Sequence, residues 1–244
     1  MLNLSNVTLW AYATVFHKAT AQALIRCLKQ ARFCNVVIFT DDRREFVKLP
    51  VVDLDGAFIP CQFVDVKHYG AGDPAVDTNM RRGADQVSVW MLTELPKYAH
   101  LFSEHALGIQ WDAWIVNPDA WRPEWLNYDY IGAAWGDGVV GNTGFWLTSR
   151  KLFEAIGRLK LPPIPQACHP FDVRLSYTNC PLQQSYLKFP GGYTGFRGLL
   201  EADGMRWAPK DVADQFSVEN QEYRGGFGFH GTRSLCSVVR QGLI

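Results

Sequence analysis

Three runs within the first forty residues restrict the fold more than any other feature of this chain. Val7 to Ala13 (VTLWAYA) has the length and continuity of a buried strand. His17 to Gln30 (HKATAQALIRCLKQ) carries apolar residues at helical spacing, and Asn35 to Thr40 (NVVIFT) is a second buried strand. Strand, helix and strand in this order form a βαβ unit, which closes as a parallel pair with a right-handed crossover. A parallel sheet must be covered on both faces. With 244 residues, 48% of them apolar, the chain can supply that cover, and its length favours one α/β domain over two small ones.

In such sheets the ligand crevice opens at the carboxyl ends of the strands, so polar residues that end apolar runs are the first candidates for a site. Asp41 and Asp42 end the NVVIFT run. Ala106 to Ile109 is a buried strand that stops at Gln110-Trp111-Asp112, followed by a further apolar run from Trp114 to Val116. Gly141-Asn142-Thr143-Gly144 then leads into the strand-like Phe145 to Leu147, and Lys151 to Leu159 reads as a helix. Gln86 to Tyr98 has helical spacing that Pro96 should end or kink. Asp172, in Pro170-Phe171-Asp172-Val173, heads another helix, where it can be simply a partner for the helix dipole. Phe196 to Gly204 reads as a helix and Met205 to Pro209 as a short strand, before the segment DQFSVEN. Clustered glycines around Phe229-His230 then indicate backbone held close to something. The Gly-, Asp- and Pro-rich connection from Tyr69 to Asn79 is a candidate lid, and LPPIPQ breaks regular structure.

Composition excludes some functions. The 24 basic residues balance the 24 acidic ones, so no overall field recruits nucleic acid or an anionic membrane. Six cysteines without metal-type spacing suit a reduced cytosolic protein with ordinary buried thiols. No basic leader with an apolar stretch and no membrane-length apolar run occurs, which predicts a cytoplasmic location without a membrane span. Nine tryptophans suit sugar or base stacking, although two in every three should be core.

Chemically, Asp112 and His230 can share a divalent cation, Mn²⁺ or Mg²⁺, whose shell is completed by phosphate oxygens and water. Asp172 can act as a general base toward a hydroxyl. Spacing alone does not choose among these roles and plain structural ones.

The run QWDAWIVNPDAW, then YDYIGAAW, VGNTGFWLTSRKLFEAI, FDV, and finally APKDVADQFSVEN with FGFHG resembles a family of GT-A-type glycosyltransferases. Its pieces read Q-x-D-G-x-V, Y-D-Y-I-G-A-P-W, G-N-G-G-F-S-L-R-S, E-D-V and F-G-F-H-G, in the same order from about residue 85 to 231. The resemblance implies a single GT-A-like domain around a central mixed, mostly parallel sheet. A Rossmann-like half (1–110) would bind a nucleotide-sugar donor, and residues 111–244 would bind the sugar and a glycan or polysaccharide acceptor. Carried onto this chain, Asp41, Asp42, Gln110 and Asp112 face the donor, Gly141, Asn142 and Gly144 line the sugar pocket, Asp112 and His230 hold the metal, and Asp172 is the base of an inverting transfer. The chain departs from the pattern at Gln110, where many such enzymes carry a carboxylate, and at Phe171, Ala113, Ala134 and Thr143. Gln110 and Phe171, each in place of an acid, favour a second reading: a carbohydrate- or nucleotide-binding module that has lost catalysis. A sugar-1-phosphate nucleotidyltransferase ranks last, because ATVFHKAT lacks the glycine-rich loop that grips a triphosphate.

Overall fold

The computed structural model describes residues 1–49, 58–66, 87–161, 171–177, 179–180 and 193–244. The Tyr69–Asn79 connection, Gln86, Pro170 and all of LPPIPQ after Leu161 lie outside the described residues.

The chain begins with the expected βαβ unit, made of β1 (Leu2–Ala13), α1 (His17–Gln30) and β2 (Ala31–Thr40), followed by β3 (Cys61–Asp65). Both leading strands start several residues earlier than their apolar runs, because the two strands continue to pair (Leu2 with Ala31, Leu4 with Phe33) across a register shift before Thr8. A helix over residues 87–93, α2, passes into a 3-10 turn at Leu95–Leu101, with Pro96 in the first turn of the latter. β4 (His105–Ile109) and β5 (Ala113–Ile115) follow, then β6 (Tyr130–Ile131), β7 (Phe145–Ser149) and α3 (Arg150–Leu159). The remaining elements are α4 (Phe171–Ser176), β8 (Asn179–Cys180), β9 (Tyr193–Thr194), α5 (Arg197–Ala202), α6 (Lys210–Phe216), β10 (Ser217–Glu219), β11 (Gly228–His230) and α7 (Thr232–Arg240).

The central sheet is mixed and mostly parallel, in the order β3-β2-β1-β4-β7-β6. β3, β2, β1 and β4 run parallel, and β7 returns antiparallel against both β4 and β6. β1 therefore has β2 on one side and β4 on the other, which makes its carboxyl end a topological switch point. A second sheet, β10-β11-β5, stands beside it. Met205 to Pro209 does not form the expected strand. Its contribution is one isolated parallel bridge, Trp207 to Tyr130, because β6 is only two residues long.

One connected core runs from Leu4 to Val238. Trp10 at the centre of β1 meets the rings of Phe39, Phe102, Trp146 and Phe153. Gly108 of β4 is small for a reason: a Cβ there would come 2.2 Å from Trp146 Nε1 and 2.9 Å from Trp10 Cε2. Trp10, Trp90, Trp114, Trp125, Trp146 and Trp207 are buried, whereas Trp111, Trp121 and Trp135 remain partly exposed. Cys27, Cys34, Cys61 and Cys236 are free thiols; Cys27 is buried, but Cys34 and Cys236 are exposed rather than packed away. Among the described residues, no helix is long and apolar enough to cross a membrane.

Candidate active site

The carboxyl edge of the parallel strands gathers most of the residues singled out from sequence. β4 ends in a tight turn in which Gln110 O accepts from Ala113 N at 3.2 Å, while Gln110 N donates to Gly144 O at 2.8 Å. That turn pins Asp112 between the central sheet and β5. Because Ala113 pairs with His230, and His230 pairs with Glu219 in β10, the strand register sets Asp112, His230 and Glu219 side by side.

His230 Nε2 lies 3.4 Å from Asp112 Oδ1, and His230 Nδ1 lies 3.6 Å from Glu219 Oε1. The side chains of Asp112 and His230 are only 7% and 14% exposed, and neither Asp112 Oδ1 nor His230 Nδ1 makes a full hydrogen bond. Burial alone would depress the imidazole pKa, but hydrogen bonding and charge from Asp112 and Glu219 outweigh it and raise it to about 9. The ring lies against Gly144, where a Cβ would come within 2.1 Å of the imidazole carbons. Any side chain larger than hydrogen at Gly144 would push His230 out of its place.

Asp172 opens α4 and is half-buried. Its Oδ1 accepts from Val173 N at 2.8 Å. Burial raises its pKa to about 6, the Val173 N–H opposes that, Glu219 adds to it, and His230 pulls it back. Asp172 is thus in electrostatic reach of both Glu219 and His230, which groups it with the Asp112 cluster. Ser88 Oγ accepts from Phe171 N at 3.0 Å and ties the start of α4 to α2.

Gly141, Asn142 and Gly144 take parts in the backbone of the site. Asn142 is buried, and its Oδ1 accepts from Gly144 N at 2.9 Å, bending the chain into β7. Gly141 packs against Trp135 and Ser176, and a Cβ would meet the Trp135 ring at 2.4 Å. Asp41 pairs with His17 Nε2 at 2.7 Å. Asp42 is held by Arg44, whose side-chain and backbone N–H groups lower its pKa to about 2. Asp41 and Asp42 thus stand at the end of β2, apart from the pair formed by Asp112 and His230.

A cleft of about 720 Å³ opens at the switch point, lined among others by Phe16, Lys18, Arg26, Asp42, Trp111 and Trp114. This volume is in the range of small-molecule sites. Phe16 has left-handed backbone angles (φ 55°, ψ 31°), unusual for a bulky residue, and its half-exposed ring lies 4.9 Å from Trp111. Arg26 covers Trp114 at 4.1 Å. Lys18 and Arg26 form no ion pair among the described residues. Trp111 joins the two regions, because it lines the cleft and immediately precedes Asp112. Sequence reasoning missed Glu219 and, Asp42 apart, the cleft residues. Glu219 follows the same rule as Asp112, a carboxylate ending a strand, but Ser217-Val218-Glu219 is too short to be recognised as a strand before it is seen pairing with β11.

Among the described residues, no group of three or more His, Cys, Asp and Glu side chains is arranged to hold a metal ion. Asp112 and a His230 that has given up its Nε2 proton nevertheless fit two places in the shell of a Mn²⁺ or Mg²⁺ ion, whose charge favours that loss. Adjacent ligands about 2.1 Å from an octahedral ion stand about 3 Å apart, and such ions take their remaining ligands from phosphates and water.

The model of the family described as "Protein of unknown function (DUF5672)" matches residues 75–230, well over half of the chain. The chain belongs to the DUF5672 family. The match takes in β4, β5, β7, α4 and β11, and so Asp112, Asp172, Glu219 and His230 all fall within the part shared with DUF5672. No curated protein matches the sequence. Similar solved structures include a glycosyltransferase involved in the glycosylation of the major capsid of PBCV-1, at 11% identity and TM-score 0.46 over 98% of this chain and 99% of that one. The apo-form glycosyltransferase GlyE of Streptococcus pneumoniae TIGR4 is similar at 11% identity and TM-score 0.47 over 92% of this chain and 54% of that one. Core-mannan synthase A of Aspergillus fumigatus, in its Mn/GDP form, is similar at 11% identity and TM-score 0.41 over 63% of this chain and 62% of that one. This chain thus spans less than two-thirds of either GlyE or the mannan synthase.

Proposed function

We propose that this protein is a GT-A-type glycosyltransferase that moves a sugar from a nucleotide-diphosphate sugar to a hydroxyl of a glycan or polysaccharide. The observation that carries the proposal is the convergence of Asp112, His230 and Asp172 at the carboxyl edge of a parallel sheet, next to an aromatic and cationic cleft at its switch point. A nucleoside fits the cleft with its base against Phe16 and Trp111 and its hydroxyls toward the Asp41–Asp42 corner. Lys18 supplies positive charge to the diphosphate.

Asp112 and His230 would hold a divalent metal, and Gln110, two residues before Asp112, would face the donor. Such an ion, when bound, neutralises the charge that develops on a departing diphosphate. Gly144 keeps His230 seated, and Gly141 and Asn142 shape the wall of the sugar pocket. Asp172 takes the proton of the acceptor hydroxyl, whose oxygen then bonds to the anomeric carbon as the bond to the diphosphate oxygen breaks; one displacement of this kind inverts the anomeric centre. A pKa of about 6 leaves Asp172 ionised yet basic at neutral pH. The replacements at Gln110 and Phe171 keep a second reading open, a binding module without catalysis.

Thermal-shift measurement against UDP-, GDP-, CMP- and dTDP-sugars, each with Mn²⁺ and with EDTA, tests the proposal, since a ligand bound to the native state raises the melting temperature. One nucleotide class should stabilise the protein, and EDTA should cancel the effect. A shift indifferent to EDTA removes the metal, and no shift with any nucleotide removes the transferase. Donor hydrolysis without acceptor separates an enzyme from a module that only binds.

A further inference from the structure

We infer that Glu219 is a positioning residue: its carboxylate faces Nδ1 of His230, 3.6 Å away, and keeps the ring turned with Nε2 toward Asp112. The inference rests on the proposed function only for what Nε2 does once it is presented.

Three independent features point to it. First, register fixes the pair. Glu219 and His230 are partners in the parallel β10-β11 ladder, and His230 is in turn opposite Ala113, the residue after Asp112. Second, the ring has a carboxylate at each nitrogen, Glu219 Oε1 at 3.6 Å from Nδ1 and Asp112 Oδ1 at 3.4 Å from Nε2. The two ring nitrogens point in divergent directions, so Glu219 on Nδ1 cannot share a ligand with Asp112 on Nε2. Its role is therefore exerted through the imidazole. Third, the backbone on both sides is held. Asn220 N donates to His230 O at 3.1 Å, Asn220 has a left-handed φ of 48°, and Gly231 has φ 91° where a Cβ would strike the Asn220 side chain. Gly144 closes the remaining face of the ring. Nδ1 is buried and makes no full hydrogen bond among the described residues, and Glu219 is the carboxylate that faces it. A buried N–H far from any acceptor is unfavourable, so the facing Glu219 carboxylate favours this orientation. A histidine that binds a metal or phosphate through one nitrogen commonly donates from the other to a carboxylate, and losing that partner weakens ligand affinity about 10- to 100-fold.

The test is nitrogen-15 NMR of the full-length protein at one fixed pH, with the His230 ring assigned by its loss in His230→Gln. A slowly exchanging Nδ1-bound proton is expected in the wild type, retained in part in Glu219→Gln, whose amide oxygen still accepts, and lost in Glu219→Ala. A wild-type ring without a held Nδ1 proton overturns the inference, as does a signal that survives Glu219→Ala. If the alanine variant does not fold, Glu219→Gln carries the test: its Nδ1 proton should exchange faster than in the wild type, and an unchanged rate overturns the inference. Calorimetric titration of Mn²⁺ with GDP or UDP supplies the second readout. Glu219→Ala should weaken binding about 10- to 100-fold, and adding it to His230→Gln should cost nothing more. An additive loss overturns action through His230. A wild type that holds the Nδ1 proton but binds neither metal nor nucleotide leaves the role of Glu219 intact and removes the transferase reading instead.

Discussion

The partial burial of Asp172 and its proposed role as base support each other, because burial raises the basicity of the carboxylate. With its pKa raised to about 6 by burial and by Glu219, activity that depends on its ionised form should fall as pH drops below about 6. The pH profile of kcat/KM measures this, and a profile flat from pH 5 to 8 removes Asp172 as base. The same shift sets a sign for stability. The folded state favours the neutral acid, so stability falls as pH rises from the ordinary carboxylate pKa of 3.8 through about 6, and stays lower above it. Asp172→Asn should therefore melt higher than wild type at pH 7.5, converge with it near pH 4, and lose transfer while still binding donor. His105, at the start of β4, behaves in the opposite way. Burial, opposed only in part by the Tyr128 backbone, lowers its pKa below 6.5, so its neutral ring supports the fold above pH 6.5 and that support is lost as pH falls. Between pH 7 and 5 the melting temperature of the wild type should fall relative to that of His105→Leu; parallel curves would refute the assignment.

At the scale of elements, the site depends on how β7 ends and α3 begins. Ser149 Oγ accepts from Leu152 N at 3.2 Å as the N-cap of α3, and it also donates to Asp129 Oδ1. Asp129 Oδ2 in turn accepts from Arg206 N at 2.9 Å, so one hydroxyl links β7, β6 and the segment after α5. Ser149→Ala should cost about 1–2 kcal/mol, the ordinary value of a lost cap plus part of this network. Urea denaturation measures it, and a change under 0.5 kcal/mol, the range of ordinary surface substitutions, would mean that the link carries no weight. The expected helices at residues 17–30 and 151–159 appear almost at their stated bounds, because each is amphipathic and packs one apolar stripe on the sheet. The expected strand at Met205 to Pro209 does not, since strand status depends on a partner and Tyr130 offers only one bridge.

Over the whole molecule, the core passes without a break between residues 1–110 and 111–244, with Trp10 of β1 against Trp146 and Phe153 from the second half. β7 and β6 extend the sheet begun by the first four strands. We therefore expect the two halves to unfold together, with coincident denaturation curves by far-ultraviolet circular dichroism and tryptophan fluorescence. Two separated transitions would divide the chain into two domains. The pairing of β5, from the middle of the chain, with β11 near residue 230 also shows how the site is assembled within residues 111–244: Asp112 and His230 are far apart in sequence and are brought together by that ladder.

The sequence alone determined the βαβ start, the strands that carry Asp42 and Asp112, and the helix that Asp172 heads. Those features depend on local periodicity and on runs of apolar residues, which neighbours along the chain set. It also marked His230, because glycines clustered around it signal close backbone contact. Only the tertiary structure decided that Glu219 stands at the other nitrogen of that ring, that Gly144 is the seat of the imidazole, and that Phe16, Arg26, Trp111 and Trp114 border one cleft. Each of these rests on strand register or on packing between distant elements. A three-residue strand such as β10 has no signature of its own until the ladder it joins gives it one.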